Sequence, residues 1–183
     1  TTELAMAGTP VCLSLNDECI AIFEIEDAVR SDSADTISSL KSAGYKCVLV
    51  TGDKKEIADT LSIQLNIDHV HAEVLPDEKT NIVNSYQSEG FVVAMVGDGI
   101  NDAPALAKAD VGFAMAGGTD IAMEAGDIVL SGKNLQALYR AVKLSLATFK
   151  KIRQNLFWAF IYNLVAIPLA ICGILHPVVA ETA

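Results

Sequence analysis

The chain has 183 residues, a formal net charge of −10 at pH 7, and 51% hydrophobic residues. This length is sufficient for one domain with a hydrophobic core. The negative charge argues against broad affinity for nucleic acids, so we expect no nucleic-acid partner.

The first 130 residues predict a mixed α/β fold. Two apolar runs at residues 10–15 and 19–25, joined by Asn16 and Asp17, predict a β-hairpin. Helix and strand patterns then alternate. We predict helices over residues 33–43, 54–65, 77–88, 102–108 and 119–124. We predict strands over residues 47–51, 69–73, 91–96, 111–115 and 127–130. This alternation indicates a parallel sheet covered by helices.

The carboxyl-terminal part predicts one long helix whose character changes along its length. Residues 134–155 are amphipathic, and residues 156–175 form an uncharged run of about 20 residues, enough to span a bilayer. Basic residues precede this run and none follows it, which makes the soluble part cytoplasmic and the carboxyl terminus extracytoplasmic. The basic residues are Lys143, Lys150, Lys151 and Arg153.

These patterns divide the chain into four segments. We predict a soluble domain, a stalk helix, a membrane helix and a short extracytoplasmic turn. Their bounds are residues 1–132, 133–155, 156–175 and 176–183.

The cysteines form no CxxC pair, so the sequence indicates neither a zinc site nor a thiol redox motif. We expect them to be buried small hydrophobic residues in a reducing cytosol. They are Cys12, Cys19, Cys47 and Cys172.

Two predicted strands end in polar, glycine-containing turns, Thr51-Gly52-Asp53 and Gly97-Asp98-Gly99. In open parallel sheets, ligands bind beyond the carboxyl ends of the strands. Glycine lets the backbone approach a phosphate closely, and Asp98 offers the hard oxygen that Mg²⁺ prefers. The sequence therefore predicts a magnesium–phosphate site at this edge of the sheet.

Three further side chains suit the same ligand. Thr51 offers a hydroxyl and an amide to phosphate oxygens, Asn101 can donate its side-chain amide, and Lys79 supplies a compact positive charge. Each alone has an ordinary structural explanation, since such turns often begin helices and exposed lysines are usually solvated. Their combination with the ten-residue run Gly-Asp-Gly-Ile-Asn-Asp-Ala-Pro-Ala-Leu at 97–106 indicates function.

These motifs resemble the carboxyl-terminal part of heavy-metal P-type ATPases, and the copper pumps in particular. The resemblance covers nearly all of this chain but only the last part of such a pump. It is carried by residues 51–53, Leu75-Pro76 with Lys79, residues 97–106, residues 118–120 and residues 154–163, and residues 8–11 and 27–30 resemble the segment that leads into the phosphorylation domain.

The resemblance implies a haloacid-dehalogenase-like, Rossmann-type phosphorylation domain with helices on both faces of its sheet. In the family, ATP phosphorylates an aspartate, the phosphoenzyme drives an ion across the membrane, and water removes the phosphate. Carried over by position, Asp98 coordinates Mg²⁺ with support from Asp102. The phosphoryl-binding residues are Thr51, Gly52, Asp53, Lys79 and Asn101, of which Lys79 and Asn101 also count as cofactor-binding.

The family's nucleophile motif DKTGT, its dephosphorylation loop, its nucleotide-binding domain and its membrane Cys-Pro-Cys do not occur in this sequence. The family's nucleophile strand lies between the two strands that end at residues 51 and 97, so its loss leaves unpaired strand edges. We therefore expect an incomplete chain, from a truncated reading frame, a split gene or an engineered piece. It would need the amino-terminal half of the pump as its partner, and a well-folded, ATP-hydrolysing monomer would contradict this.

Tyr162 and Asn163 are the strongly polar pair inside the predicted membrane helix. Polar groups at this depth are often functional, although a tyrosine at the interface and an asparagine bonded to a neighbouring helix are also common. The resemblance favours Cu⁺ as the transported ion, because zinc and cadmium pumps place a lysine here. Cu⁺ prefers sulfur, which would come from the missing Cys-Pro-Cys. Cys172 would lie on the opposite helix face, about 13 Å along the axis from Asn163, and we interpret it as a filler.

The sequence thus predicts part of an ATP-driven pump, in a bacterial inner or plasma membrane, that exports Cu⁺ and uses ATP and Mg²⁺. A free-standing phosphatase is a second hypothesis, against which the missing nucleophile argues. A non-enzymatic, membrane-anchored partner or decoy of an intact pump is a third. The coding sequence upstream of Thr1 separates the first hypothesis from the third.

Overall fold

The computed structural model describes residues 9–25, 28–116, 119–132 and 134–173. The chain divides into two compact units, residues 1–139 and residues 140–183. Predictions for residues 8, 27, 118 and 174–183, including the extracytoplasmic turn, lie outside the described residues.

The first unit begins with the predicted hairpin. Strands β1 (Thr9–Leu15) and β2 (Glu18–Ile25) pair antiparallel. Asn16 and Asp17 between them have φ values of 51° and 66°, the left-handed conformation that a two-residue hairpin turn requires and that these residue types tolerate. The hairpin prediction is confirmed, turn included.

The prediction of buried cysteines is wrong for Cys12 and Cys19, which are exposed, while Cys47 is half-buried; Cys172 is exposed, as a lipid-facing residue would be. A disulfide joins Cys12 to Cys19 across the hairpin, with their Cα atoms 6.2 Å apart. Cys19 lies opposite Ser14, two residues along β1 from Cys12, and both cysteines are exposed in the described hairpin. Sequence spacing alone does not reveal such a cross-strand pair.

The rest of the first unit alternates helices and strands, as the sequence predicts. Its elements are α1 (Ser33–Ser42), β3 (Val48–Val50), α2 (Lys55–Leu65), β4 (His69–His71), α3 (Pro76–Ser88), β5 (Ala94–Gly97), a 3-10 turn (Ile100–Asp102), α4 (Ala103–Lys108), β6 (Val111–Met115), α5 (Asp120–Ala125) and β7 (Ile128–Leu130). Strand β3 pairs parallel with β4, and β6 pairs parallel with both β5 and β7. The α/β class with a parallel sheet is confirmed.

No backbone pairing joins β3 to β5 within the described part of the chain. The parallel strands therefore form a two-stranded and a three-stranded sheet. This interruption lies where the resemblance places the family's nucleophile strand.

Strand β6 and helix α4 form the centre of the core. Phe113, Ala114 and Met115 are at most 5% exposed, and Leu106 on α4 is fully buried. Gly112 permits this packing, because a Cβ there would lie 2.7 Å from the carbonyl oxygen of Leu106. The buried, apolar character of β6 is typical of a strand covered on both faces.

Three aspartates tie neighbouring parallel strands together at their amino-terminal ends. Each directly precedes a strand, and each accepts a 2.8 Å hydrogen bond from a backbone N–H at the start of the adjacent strand. The pairs are Asp68 with Cys47, Asp110 with Val93, and Asp127 with Gly112. This edge is opposite the one that carries the candidate site.

These bonds lower the pKa of two of the carboxyl groups. For Asp110 the principal cause is the Val93 N–H, followed by the Gln87 side chain. For Asp68 it is the hydrogen bond from Lys41, followed by the Cys47 N–H. Hydrogen bonds to the charged form favour that form.

The second unit consists of the larger part of α6 (Gln136–Ile171), a continuous helix of 36 residues. By length and composition it could cross a membrane, since an 18-residue window has a mean hydropathy of 1.4 and none of that window is buried. Its first N–H group, on Gln136, donates to the side chains of Asn134 and Asp32, which cap the helix. The predicted boundary between stalk and membrane helix at residue 155 falls inside this helix and stays a prediction.

We predict that Asp110→Asn makes the thermal stability of the protein less dependent on pH in the acidic range. A carboxyl group with a lowered pKa stabilises the fold above its unfolded-state pKa of about 3.9, and this contribution is lost as pH falls through the folded-state value. The melting temperature of the wild type should therefore fall more than that of Asp110→Asn between about pH 5 and pH 3.

Asp59→Asn is the matched control, because Asp59 is exposed on α2 and its side chain makes no hydrogen bond in the described residues. Its acid-induced loss of stability should equal that of the wild type. An unchanged pH slope in Asp110→Asn would contradict the role of this aspartate.

Candidate active site

The turn after β3 is held by its own side chains and by the segment before α3. Thr51 donates its hydroxyl to Asp53 Oδ2 at 2.6 Å, and the Asp53 N–H donates back to the Thr51 oxygen at 3.1 Å. The N–H groups of Glu73 and Val74 donate to the carbonyls of Asp53 and Thr51. The turn therefore has a fixed position relative to α3, while Gly52 between the two side chains is exposed.

Asp102 organises the turn after β5. Its Oδ1 accepts a 2.6 Å charge-assisted hydrogen bond from Lys79 Nζ on α3. Its Oδ2 lies 3.4 Å from the Asp98 N–H and 3.3 Å from the Gly99 N–H. The side chains of Lys79 and Asp102 are only 16% and 14% exposed, so this ion pair is poorly screened by water. Both oxygens of Asp102 are thus engaged in shaping the loop.

Gly97 allows Asp102 to reach this position. A Cβ on residue 97 would lie 2.6 Å from the Asp102 Cβ, closer than two carbon atoms can approach. By contrast, a Cβ on Gly99 would meet nothing closer than 3.6 Å. The first glycine of the motif is therefore required by packing against Asp102.

Asp98 presents its carboxylate to solvent. Its side chain is 58% exposed and pairs with Arg30, whose Nη2 lies 3.7 Å from Oδ2. Its backbone carbonyl accepts a 2.9 Å bond from the Thr119 N–H, which fixes the main chain while the side chain remains accessible. Mg²⁺ is usually held by one or two carboxylates together with substrate phosphates, so this accessible carboxylate fits the ion.

The structure thus brings most of the predicted residues into one connected cluster. The 51–53 turn is tied to the start of α3, α3 carries Lys79, and Lys79 bonds to Asp102, which shapes the loop around Asp98. Asn101 is exposed on that loop.

The other two predicted residues lie on α6 in the second unit. Tyr162 is 41% exposed, and Asn163 Nδ2 donates to the carbonyl of Ala159 at 2.9 Å. The amide nitrogen of Asn163 is therefore bonded within its own helix, which leaves Oδ1 as the group that can accept a further bond.

Two contacts at the site have no counterpart in the residue roles that the sequence predicts. Arg30 and Thr119 both belong to motifs that carry the resemblance, yet neither spacing nor residue type shows that both contact Asp98. Thr119 also caps α5 by accepting a bond from the Ala122 N–H. The threonine-aspartate start of a helix is the one sequence signal that could have located it.

We predict that Gly97→Ala destabilises the protein by about 1–3 kcal/mol, because the added methyl group displaces Asp102 and overpacks the loop. Gly99→Ala, two residues away, should stay close to the wild-type free energy of unfolding. Chemical denaturation of the two variants measures the difference. Equal stability of Gly97→Ala and wild type would show that Asp102 can move without cost.

Comparisons with known proteins place these features in a family. The model of the haloacid dehalogenase-like hydrolase family matches residues 2–110 of this chain. The chain is 48% identical to the probable copper-importing P-type ATPase A of Enterococcus hirae, over 99% of this chain and 25% of that protein. It is 45% identical to the copper-exporting P-type ATPase of Staphylococcus epidermidis, over 97% of this chain and 22% of that protein.

A solved structure agrees with these relatives. The crystal structure of a zinc-transporting PIB-type ATPase in the E2.Pi state has a TM-score of 0.81 and 36% sequence identity, over 92% of this chain and 28% of that chain. The chain thus spans about a quarter of the length of the relatives it matches. The chain belongs to the haloacid dehalogenase-like hydrolase family, and along its length it is similar to about a quarter of a heavy-metal P-type ATPase.

Proposed function

We propose that the chain is the part of an ATP-driven cation pump that carries one side of its phosphorylation site and one membrane helix. The observation that carries this proposal is the exposed carboxylate of Asp98 beside the partly buried Lys79–Asp102 ion pair. Such a group of one accessible carboxylate and one mostly buried cation suits a phosphoryl group bound with Mg²⁺. The reaction passes through an aspartyl phosphate whose aspartate belongs to the rest of the pump.

Each residue of the cluster has a distinct part in this proposal. Asp98 holds Mg²⁺, which neutralises charge on the phosphoryl group. Lys79 uses one of its three donors for Asp102 and has the others available for phosphoryl oxygens. Asp102 supports the magnesium site by fixing the loop, because both its oxygens already accept bonds.

The remaining cluster residues contact the phosphoryl group from the other turn and from the loop. Thr51 and Asn101 donate a hydroxyl and an amide, and the hydroxyl of Thr51 first has to leave Asp53. Gly52 and Asp53 shape the turn that presents Thr51. ATP is the phosphoryl donor, and its binding domain lies in the amino-terminal half that we propose as partner.

Copper(I) is the proposed cargo, and export is the proposed direction. Support comes from the copper ATPases among the relatives, of which those of Staphylococcus epidermidis and Legionella pneumophila are described as exporting and that of Enterococcus hirae as importing. Helix α6 spans the bacterial inner or plasma membrane with the phosphorylation site on the cytoplasmic side. Tyr162 and Asn163 line the ion path, while sulfur ligands come from the rest of the pump.

We predict that Asp98→Ala lowers the yield of acyl phosphate on the order of 100-fold or more in a pump assembled with its amino-terminal half. The loss follows because no other exposed carboxylate on the loop replaces Asp98 as magnesium ligand. Incorporation of radiolabelled phosphate from ATP, followed by acid precipitation, measures the intermediate.

Asp59→Ala is the control for this experiment, since Asp59 is exposed on α2 and should leave phosphorylation unchanged. Normal acyl-phosphate levels in Asp98→Ala would refute the magnesium role. Undiminished transport in the same variant would favour a non-enzymatic partner instead.

We further predict that Asn163→Leu abolishes copper-stimulated phosphorylation by ATP but leaves phosphorylation by inorganic phosphate intact. The substitution removes a polar group from the proposed ion path without touching the cluster in the first unit. Cys172→Ser is the matched control on the same segment, and it should retain copper stimulation because Cys172 follows the end of the helix. If copper stimulation survives in Asn163→Leu and fails in Cys172→Ser, then Cys172 and not Asn163 lies on the ion path.

A further inference from the structure

The hairpin at the start of the chain carries a pair of sulfur atoms that the proposed function does not use. Cys12 on β1 and Cys19 on β2 are linked across the two strands, and both residues are exposed. The pair lies in the first unit, outside the cluster around Asp98. It therefore needs a separate explanation.

The strand pairing holds the two sulfur-bearing residues in place whether or not the disulfide is present. Backbone pairing runs along the hairpin from Thr9 to Leu15, and the left-handed Asn16-Asp17 turn closes it. Reduction breaks one S–S bond but none of these hydrogen bonds. The two Cα atoms would then remain near their 6.2 Å separation, with both thiols on one face.

The compartment determines the resting state of this pair. The proposed topology places the first unit in the cytoplasm, where cellular thiols keep protein cysteines reduced. A cysteine pair held together in such a compartment is more often a metal-binding or catalytic pair than a structural disulfide. In the cytoplasm the Cys12–Cys19 pair is therefore an exposed dithiol.

The number of ligands limits which metal this dithiol can hold. No group of three or more His, Cys, Asp or Glu residues able to bind a metal occurs among the described residues. Structural zinc sites take four ligands, and Mg²⁺ and Ca²⁺ take at least six oxygen ligands, so two thiols satisfy none of these ions. Soft thiolates select Cu(I), a closed-shell monovalent ion that is stable with two ligands in a linear arrangement.

We propose that Cys12 and Cys19 in their reduced form bind one copper(I) ion between them. Both thiols lose a proton to solvent and two S–Cu bonds form, which leaves a bis-thiolate complex with a single net negative charge and no change in oxidation state. The exposed position leaves the ion open to exchange with other thiol ligands. The inference rests on the proposed function for the cytoplasmic location and for copper as the available metal.

The test uses the full 183-residue chain in detergent micelles, reduced with a phosphine and handled without oxygen. Copper(I) is titrated in competition with bathocuproine disulfonate, a coloured copper(I) chelator. The expected result is one tightly bound equivalent for the wild type. Cys12→Ser and Cys19→Ser should each weaken copper(I) binding at least about 100-fold. Changing a residue that only orients a metal ligand already costs about 10–100-fold in affinity, and loss of the ligand itself should cost more.

The matched control is the double variant Cys47→Ser with Cys172→Ser, which keeps the hairpin pair and removes the other two cysteines. It should bind copper(I) like the wild type. Wild-type affinity in Cys12→Ser or Cys19→Ser would overturn the proposal, and so would loss of binding in the double variant.

Alkylation of the wild type gives a second readout that needs no substitution. One equivalent of copper(I) should protect Cys12 and Cys19 from iodoacetamide, as peptide mass spectrometry would show. Equal labelling of Cys12 and Cys19 with and without copper(I) would overturn the proposal. Asp98→Ala should bind this ion normally, so failure of the phosphorylation test and failure of this one are separate results.

Discussion

The ion pair between Lys79 and Asp102 is the interaction on which the candidate site depends. It joins α3 to the loop after β5 across a contact that is mostly shielded from water. Removing two charges from water is costly, and this pair offsets the cost because the second oxygen of Asp102 faces backbone N–H groups of the loop. With Asp102 fixed on both oxygens, the neighbouring Asp98 is left with an accessible carboxylate. Asp102 thus shapes the loop, and the carboxylate of Asp98 stays accessible to a ligand.

The polar side chains at the two ends of the parallel strands have different roles: those at one end stabilise the strand pairing, and those at the other form the candidate site. At the amino-terminal edge, aspartates such as Asp110 accept hydrogen bonds from backbone N–H groups of the adjacent strand. At the carboxyl-terminal edge, the strands end in turns whose polar side chains bond to one another and to the start of α3. The same residue type therefore has opposite roles, decided by which end of a strand it adjoins. The buried core around β6 and α4 lies between the two edges and holds the turns in position.

The break between β3 and β5 leaves strand edges without a partner, and the hairpin leaves apolar side chains uncovered, within the described residues. Unpaired strand edges and uncovered apolar side chains are costly, and the hairpin exposes Val11, Leu13 and Phe23 by about half. Under the proposed function, the strand that carries the phosphorylated aspartate would come from the rest of the pump and would fill this break. The proposed reduced cysteine pair would lie on the same exposed hairpin.

Residue type and spacing were sufficient to predict the order of the helices and strands. Local chemistry was sufficient for the Asn16-Asp17 turn, which needs two left-handed residues, and for the placement of Asp98, which follows directly from a strand ending in glycine. The partner of each side chain, by contrast, follows from how the elements pack in three dimensions. The bonds from Lys79 to Asp102 and from Thr119 to Asp98 link residues about 20 positions apart, and the Cys12–Cys19 disulfide crosses from one strand of the hairpin to the other. Such contacts arise from the packing of α3, α4 and the strands against one another, which residue type and spacing do not encode locally.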